Sequence, residues 1–437
     1  MFQTLRNAWK VTDIRKKILY TLLIVLIFRV GSAIPVPFID IETLKNAIDD
    51  SSDLMAYLTL MSGGGFSDAS IFALSITPYI NSSIIIQLLT VAIPALERMA
   101  QNGEEGRKKL GQITRYVTVI LGLLLGVAYY FMVKNKYGAL AACAKGGFNA
   151  WFCGITIVMC FTAGSALMMW LGEQINERGI GNGISILLFA GIISRLPSGI
   201  ANLYTIFMEG VKNINAGGLK YVILVPIILV LFLAIIGLIV FMSNAERRIP
   251  IQYAKRTVGR KIYGGQNTFI PIKVNMSGVM PIILAVSIVS MPSILKQFFN
   301  WDADNSSWFF QAFSSNSWVY IILYFLLIIG FAFFYVTIQY NPVEMANNLR
   351  KNSGAIPGYR PGKPTVDYIR KVISKITLIG SLFLGVIALF PSVFGKFSGI
   401  GLGIGGTSVM IVVGVALETM QQIESQIMMR HYKGFLE

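Results

Sequence analysis

Ten long runs of apolar residues follow one another along the chain, separated by polar segments. They cover residues 18–34, 71–94, 114–133, 151–171, 184–200, 221–242, 274–295, 317–338, 372–391 and 402–420. Each run holds about the 17 to 25 residues that a helix needs to cross roughly 30 Å of hydrocarbon. Only a helix or a closed barrel satisfies its backbone polar groups inside lipid, so we expect an all-α membrane protein with ten transmembrane helices. The first run is long and lacks a small-residue cleavage site, so we expect it to remain as a helix.

The composition agrees with a membrane environment. Of the 437 residues, 54% are hydrophobic and only 13% are charged. Soluble domains carry a charge on about a quarter of their residues, so this chain has too little polar surface to be one.

The charges predict the orientation of the chain. Lysine and arginine concentrate in the N-terminal tail, in the second, sixth and eighth loops and in the C-terminal tail, whereas the first loop is mainly acidic. Positive charges close to membrane helices stay on the cytoplasmic side. We therefore expect both termini to face the cytoplasm, together with two large loops at about 244–273 and 340–370.

Missing residue types exclude several kinds of chemistry. His431 is the only histidine, which excludes Ser-His-Asp, Cys-His and histidine–metal sites within one chain. The sequence has no GxxxxGK(S/T) loop to hold a nucleotide. Asp and Glu are almost absent from the apolar runs, although proton relays need such groups at depth. We expect a passive conduit without a cofactor, a metal site or catalytic residues, and therefore not an enzyme.

Two other classes of protein are the alternatives. A secondary transporter would share the helical architecture but should contain a substrate cavity with buried charges. An intramembrane hydrolase would need a nucleophile and a base at depth, and the runs contain no Ser-Lys or Asp pair that fits this role.

The ten runs divide into two groups of five, about 1–205 and 206–437. When a unit with an odd number of helices is repeated, the second copy starts on the opposite side of the membrane from the first. This predicts an inverted repeat. The second run of each half contains a proline, Pro78 and Pro281. Interrupted helices at matching positions of two halves mark the functional seam of such proteins. The alternative is a packing kink with no role in a pathway.

A short apolar segment, 54–61, precedes the second run and is followed by Gly63, Gly64 and Gly65. As a helix its eight residues span only about 12 Å, too little to cross a bilayer. One interpretation is a short re-entrant helix that stops a pore. The other is a helix that lies flat on the outer membrane surface.

Polar residues follow both prolines: Asn81, Ser82, Ser83 and Gln87 after the first, Ser287 and Ser290 after the second. Unpaired polar groups are costly in lipid, so these side chains should face water or another helix. They fit either a seam that opens or static hydrogen bonding between helices. Arg29, a charge inside the first run, either reaches the outer interface with its long side chain or takes part in gating.

Gly122 and Gly126 form a GxxxG motif in the third run. Small residues four positions apart let two helix backbones approach closely in membranes. We expect a close helix–helix contact at this motif rather than chemistry.

The two large basic loops are candidate docking surfaces. Residues 246–256 alternate charged and β-prone side chains, which predicts a hairpin, and residues 357–363 form a Pro- and Gly-rich turn that carries Arg360. Clustered cations suit RNA phosphates or an acidic protein surface. The alternative is that these charges only set the topology beside anionic lipid.

Seven stretches of the sequence resemble the SecY family, the channel subunits of the Sec protein translocase of bacteria. They are FRVGSAIPVP, SIFALSITPYINSSIIIQLLTV, MWLGEQINERGIGNGISILLFAGI, RRIPIQYAKR, VNMSGVMP, NNLRKNSGAIPGYRPGKPT and GGTSVMIVV. The resemblance extends in order along nearly the whole chain. It implies two inverted halves around an hourglass pore, a plug helix and a lateral gate toward lipid. The implied function is to pass unfolded secretory polypeptides across the bacterial plasma membrane and to release transmembrane segments sideways into lipid.

The resemblance also implies roles for individual residues. The pore ring would consist of Ile76, Ile80, Leu188, Ile283 and Ile411, where relatives often have isoleucine in place of Leu188. The plug would cover about 54–69, including Leu54, Met55, Leu58, Met61, Gly63, Gly64, Gly65 and Phe66, and Asp68 receives no role. The lateral gate would contain Asn81, Gln87, Ser287 and Met291.

Partners follow from the same resemblance. Arg260, Lys261 and Arg360 would contact the SecA motor ATPase or the rRNA of a ribosome. SecE and SecG would be the small partner subunits. Signal peptides, nascent chains and membrane lipids would contact the pore and the gate.

Overall fold

The computed structural model describes residues 6, 8–49, 59, 62–140, 147–212, 219–253, 256–258, 261–263, 267–298, 313, 317–398 and 406–433. The predicted plug residues Leu54, Met55, Leu58 and Met61 and the predicted docking residue Arg260 lie outside this part of the chain. Lys261 and Met291 are described by their backbones alone.

Thirteen helices and five strands make up the described part of the chain. The helices are α1 (Thr12–Ser32), α2 (Ile41–Asp49), α3 (Thr77–Ala92), α4 (Pro94–Gln101), α5 (Gly103–Phe131, continued by a π-helical turn Met132–Tyr137), α6 (Gly147–Arg178), α7 (Gly183–Lys212), α8 (Leu219–Asn244), α9 (Met280–Phe298), α10 (Trp318–Gln339), α11 (Pro342–Lys351), α12 (Lys363–Ser398) and α13 (Gly406–Lys433). The strands are β1 (Glu246–Tyr253), β2 (Arg256–Val258), β3 (Lys261–Tyr263), β4 (Asn267–Lys273) and β5 (Gly354–Ala355).

Each of the ten apolar runs falls mainly on one helix, namely α1, α3, α5, α6, α7, α8, α9, α10, α12 and α13 in chain order. The prediction that the runs are helical is therefore confirmed. Within the described residues, six helical stretches are long and apolar enough to cross a membrane. A seventh is added if the pair α3 and α4, bent by 106° at Ile93, counts as one span. The chain is a mostly helical, multi-pass membrane protein.

Helix α1 is not among these stretches, because charged residues lie near both of its ends. Arg15, Lys16 and Lys17 lie near its start and Arg29 near its end, so the uncharged stretch between them covers only residues 18–28. In α9 the described apolar part covers Met280–Val289, which is shorter than a full span. The helices α1, α9 and α13 match predicted runs but are not among the stretches long and apolar enough to cross a membrane.

The chain forms two compact units. The first comprises Met1–Val225, Ser290–Ser317 and Val415–Glu437, and the second comprises Pro226–Val289 and Trp318–Gly414. The core of the first unit includes Phe66, Tyr129 and Phe161, whose rings meet edge to face with centroids 4.9 and 4.7 Å apart. Aromatic pairs favour this geometry because the positive ring edge faces the negative ring face.

Helices α5 and α6 of the first unit pack closely at the GxxxG motif. A Cβ placed on Gly122 would lie 2.5 Å from Ser165 Oγ, and one on Gly126 would lie 3.4 Å from the carbonyl oxygen of Val158. The close helix contact predicted from the motif is confirmed.

The second unit contains a small sheet with strand order β4-β1-β5. β1 and β4 pair antiparallel, with Ile249 opposite Ile270, and the shorter hairpin β2-β3 extends between them. Ile249 and Ile251 are buried while Arg248 and Pro250 are exposed, as expected from the period of two in a strand. The predicted hairpin is confirmed, and it adds a β-element that the all-α class did not include.

Candidate functional site

The candidate site in the first unit is centred on residues 62–70, a run of tight turns between α2 and α3, which we call the turn segment. Gly63 and Gly64 have φ values of +65° and +96°, a backbone region that side chains other than glycine rarely adopt. A Cβ on Gly63 would lie 3.1 Å from the Cα of Gly191 in α7. Both glycines are therefore needed, for the turn and for its close approach to α7.

Two arginines hold the turn segment. Arg29 of α1 donates a hydrogen bond from Nη1 to the carbonyl oxygen of Gly63 at 2.9 Å. Arg195 of α7 donates from Nη2 to Oγ of Ser67 at 3.0 Å. The hydroxyl of Ser194 donates to the carbonyl oxygen of Gly191 at 2.7 Å and lies 3.4 Å from the Gly63 carbonyl oxygen. Arg29 thus contacts the predicted plug region and does not merely extend toward the outer membrane surface.

Two further contacts involve the same segment. The hydroxyl of Tyr129 on α5 donates to the carbonyl oxygen of Phe66 at 2.7 Å. Lys45 of α2 forms an ion pair with Asp68 at 2.9 Å, with both side chains partly exposed. The sequence resemblance gave Asp68 no role, and its partner could not be found from spacing because the two residues lie on different elements.

The two prolines mark where helices begin. Pro78 lies in the first turn of α3, which starts at Thr77, and Pro281 is the second residue of α9. Proline is tolerated in a first turn because its missing N–H has no partner within the helix anyway. The runs 71–94 and 274–295 are therefore interrupted as predicted, and the alternative of a kink inside a continuous helix is wrong.

The predicted ring residues of the first unit are buried. Ile76 is the N-cap residue of α3, and Ile80 lies one turn further on the same face of the helix. Cδ1 of Ile76 lies 3.5 Å from the position of a Cβ on Gly172, where Cδ1 of Leu187 also approaches. Leu188, the third predicted ring residue of this unit, is buried next to Leu187 in α7.

The second unit contains the other two ring residues, Ile283 and Ile411, which are also buried. A Cβ on Gly414 of α13 would lie 3.3 Å from Cγ1 of Val279, just before α9. Ile411 is three positions before Gly414 and Ile283 four positions after Val279, spacings that keep residues on one helix face. Both isoleucines therefore lie on the sides by which α13 and the start of α9 approach each other.

The predicted gate residues differ in exposure. Asn81 and Ser287 are half-buried and Gln87 is exposed. The hydroxyl of Ser287 donates to the carbonyl oxygen of Ile283 at 2.9 Å, one turn back in α9. Ser82, which is fully buried, donates to the carbonyl oxygen of Thr114 in α5 at 2.7 Å. For Ser82 the structure favours hydrogen bonding between helices.

The predicted docking residue Arg360 is exposed in the turn between β5 and α12. Its carbonyl oxygen accepts a hydrogen bond from Thr365 Oγ1 at 2.8 Å. The neighbouring Tyr359 packs against Tyr368 with ring centroids 4.2 Å apart. The backbone of the turn is held while the guanidinium remains accessible.

The first unit also contains a polar cavity of about 370 Å³ that sequence reasoning missed. Asn176 Oδ1 accepts a hydrogen bond from the N–H of Gly183 at 2.7 Å, and Asn182 Oδ1 accepts from the N–H of Ile184 at 3.1 Å. These bonds organise the start of α7 at one wall of the cavity. The lining comprises Asn176, Gly181, Asn182, Ser185, Val415, Glu418, Thr419 and Gln422.

Comparisons with known proteins find relatives along the entire chain. The chain is 43% identical to the protein translocase subunit SecY of Streptomyces coelicolor, with 100% of both chains covered. It is 42% identical to the protein translocase subunit SecY of Halalkalibacterium halodurans and 42% identical to that of Bacillus subtilis, again with 100% of each chain covered.

Solved structures share the fold at lower sequence identity. A structure described as a protein conducting channel has a TM-score of 0.66 at 18% identity, and the match covers 94% of this chain and 92% of that one. Sec61 in the canine ribosome–channel complex from the endoplasmic reticulum has a TM-score of 0.63 at 17% identity, with the same coverage.

A sequence model of the SecY family matches residues 70–420, a range that begins in the turn segment and ends in α13. With this match over most of its length and with full-length relatives above 40% identity, the chain belongs to the SecY family.

Proposed function

We propose that this chain is a protein-conducting channel of a cell membrane, which passes unfolded secretory polypeptides across the bilayer and releases transmembrane segments sideways into lipid. The observation that carries the proposal is the 43% identity to a protein translocase subunit over the whole of both chains. The chain itself performs no chemistry, so its partners supply the energy for transport.

The proposed architecture has ten transmembrane helices in two inverted halves, about 1–205 and 206–437. It is supported by the ten helices that match the apolar runs and by the two helices that begin at proline-containing turns in matching runs. Discontinuous helices in transporters and channels are tolerated where their ends line a cavity rather than face lipid.

A ring of aliphatic side chains seals the proposed pore. It consists of Ile76, Ile80, Leu188, Ile283 and Ile411. Such a ring excludes water and ions by dewetting, yet it yields to a passing chain because it binds no particular sequence. Burial of all five side chains supports the assignment.

The proposed plug covers about 54–69 and closes the outer side of the ring. The contacts of Gly63 and Ser67 with α1 and α7 support a defined resting position for its described part. The proposed lateral gate contains Asn81 and Gln87 on α3 and Ser287 and Met291 on α9, with α5 and α10 beside them. A signal peptide opens the gate by replacing helix–helix contacts and shifting a closed–open equilibrium.

The proposed partners bind on the cytoplasmic side of a bacterial plasma membrane, where both termini also lie. Arg260, Lys261 and Arg360 contact the SecA motor ATPase or ribosomal RNA. The phosphates of the RNA attract exposed cations. The exposure of Arg360 supports this role. SecE and SecG complete the translocase.

Reconstitution tests the proposed function. Vesicles containing the full chain with SecE and SecG receive SecA, ATP and a radiolabelled secretory precursor, and external protease is then added. We expect ATP-dependent protection of the precursor, with vesicles lacking the chain as the control. If the precursor stayed fully accessible while the vesicles took up a small solute, a secondary transporter would be the better assignment.

A further inference from the structure

Two cations from different helices converge on the turn segment. Arg29 lies near one end of α1 and Arg195 lies inside α7, 166 positions further along the chain, yet both guanidinium groups donate to residues of this segment. By the predicted topology, both lie toward the outer ends of their spans. A charged side chain at such a depth is costly without a partner. The contacts that these two arginines make are therefore expected to matter for the structure.

We propose that Arg29 and Arg195 form a two-point latch that holds the turn segment in the resting position and thereby sets how often the channel opens without a substrate. The inference rests on the proposed channel function. It assigns a role to Arg195, for which the sequence suggested none, and to Arg29, for which the sequence left two alternatives open.

The acceptors of the latch are features of the resting backbone. The carbonyl oxygen of Gly64 accepts hydrogen bonds from within the segment, from the N–H of Asp68 at 3.1 Å and from Oγ of Ser67 at 3.0 Å. The carbonyl oxygen of Gly63 instead accepts from outside the segment, from Arg29 at 2.9 Å. Because positive φ at Gly63 and Gly64 orients these carbonyls, the latch recognises this turn geometry and is lost when the turn moves.

The second point of the latch is buried at its acceptor. Ser67 is 5% exposed, and its hydroxyl accepts from Arg195 while it donates to Gly64. A Cβ on Gly64 would lie 2.7 Å from Nη2 of Arg195, so the guanidinium lies directly against the backbone of the turn. Displacing the segment therefore requires Arg195 to exchange a charge-assisted bond for water.

Two other contacts of the segment, from Tyr129 and Lys45, differ in kind from the latch. Tyr129 belongs to an aromatic core with Phe66 and Phe161, so its bond anchors the segment to α5 and α6. The Lys45–Asp68 pair is partly exposed and contributes little to stability. The arginines are thus the charged contacts that connect the segment to α1 and α7.

Conductance of resting channels tests the latch. The full chain with its partner subunits is placed in planar bilayers without substrate, as wild type and as Arg29→Met, Arg195→Met, Ser67→Ala and the double variant Arg195→Met with Ser67→Ala. We expect each single change to raise the open fraction about tenfold, since one charge-assisted hydrogen bond is lost. The double variant should exceed its single parents only slightly, because both changes break the same bond. Arg195→Lys should restore part of the closure.

Arg178→Met is the matched control, because it removes the same charge from the same unit. Arg178 is exposed at the end of α6. It should conduct like the wild type. If an arginine variant failed to accumulate in the membrane, Ser67→Ala would carry the test, since it removes only a hydroxyl.

The precursor-protection assay separates the two proposals. One outcome would overturn the latch and leave the channel function intact: the wild type translocates the precursor, but the latch variants show the same resting conductance as the wild type. Fully additive effects of Arg195→Met and Ser67→Ala would also overturn the paired contact. A wild type that fails to translocate would instead contradict the proposed function.

Discussion

Arg195 and Ser67 lie 128 positions apart in the chain, yet Nη2 of the arginine donates a hydrogen bond to the serine hydroxyl at 3.0 Å. The contact connects a helix inside the first unit to the turn that precedes α3. Glycines at 63 and 64 bring the turn close enough for this bond, because their conformations and the space around them exclude a side chain. The turn segment is thereby defined by partners far away in the sequence.

The aliphatic ring predicts an ion leak when its surface becomes polar. Replacing Ile76, Ile80, Leu188, Ile283 and Ile411 together with serine should let water fill the constriction, since dewetting depends on apolar walls. Ion flux across vesicles in the absence of a precursor measures the effect, which we expect to exceed tenfold. Replacing the same residues with valine keeps an apolar wall and is the control. Unchanged flux in the serine variant would contradict the ring assignment.

Reversal of charge at Arg360 predicts a loss of partner binding without loss of the fold. The side chain is exposed and the turn is held by Thr365 and by the Tyr359–Tyr368 contact. Arg360→Glu should therefore leave the thermal unfolding temperature unchanged and reduce precursor translocation at least tenfold. Lys351→Glu, an exposed cation at the end of α11, is the matched control. A large fall in the unfolding temperature would point to a structural role for Arg360 instead.

Gly122 predicts a steric limit on the packing of α5 against α6. A Cβ at this position would lie 2.5 Å from Ser165 Oγ, so Gly122→Leu should destabilise the protein by about 1 to 3 kcal/mol or more through overpacking. Thermal unfolding in detergent measures the change. Gly111→Ala in the same helix is the control, because no atom lies within 4 Å of its added Cβ. That control should be neutral or stabilising by up to about 1 kcal/mol, since alanine favours helix.

Removal of the Tyr129 hydroxyl should cost one hydrogen bond at the carbonyl oxygen of Phe66, which also accepts from the N–H of Ala69 at 3.4 Å. Tyr129→Phe keeps the aromatic packing with Phe66 and Phe161 but removes the donor to the Phe66 carbonyl. We expect a loss of about 0.5 to 1.5 kcal/mol of stability, because the buried oxygen loses the shorter of its two hydrogen bonds. The same change at Tyr116, which is 73% exposed on the same helix, should have almost no effect. Equal unfolding temperatures for the two variants would show that the bond from Tyr129 contributes nothing to stability.

Much of the fold could be predicted from local sequence. The apolar runs identified ten helical segments, the GxxxG motif identified the approach of α5 to α6, and alternation around Arg248 and Ile249 identified the β1–β4 hairpin. Pro78 and Pro281 marked interruptions at the right places. Their nature was left open between two alternatives, because a proline pattern does not distinguish a kinked helix from the first turn of a new one.

The site was predictable in part. The resemblance named Gly63, Gly64 and Phe66 as plug residues, and the structure describes them in one turn segment. It gave no indication of Arg195, Tyr129 or Lys45 as partners of that segment. Arg195 is a charge inside the apolar run 184–200, a signal that could have singled it out, whereas Tyr129 and Lys45 carry no such signal. Neither spacing nor composition connects any of the three to residues 62–70.

The sequence by itself determined which segments are apolar and helical and which loops carry positive charge, because each of these properties depends on neighbouring residues and their exchange with water. Only the tertiary structure decided that Arg29 and Arg195 meet the same turn and that Asp68 pairs with Lys45. Such contacts depend on how distant helices pack, and packing brings together groups whose separation along the chain leaves no local signal.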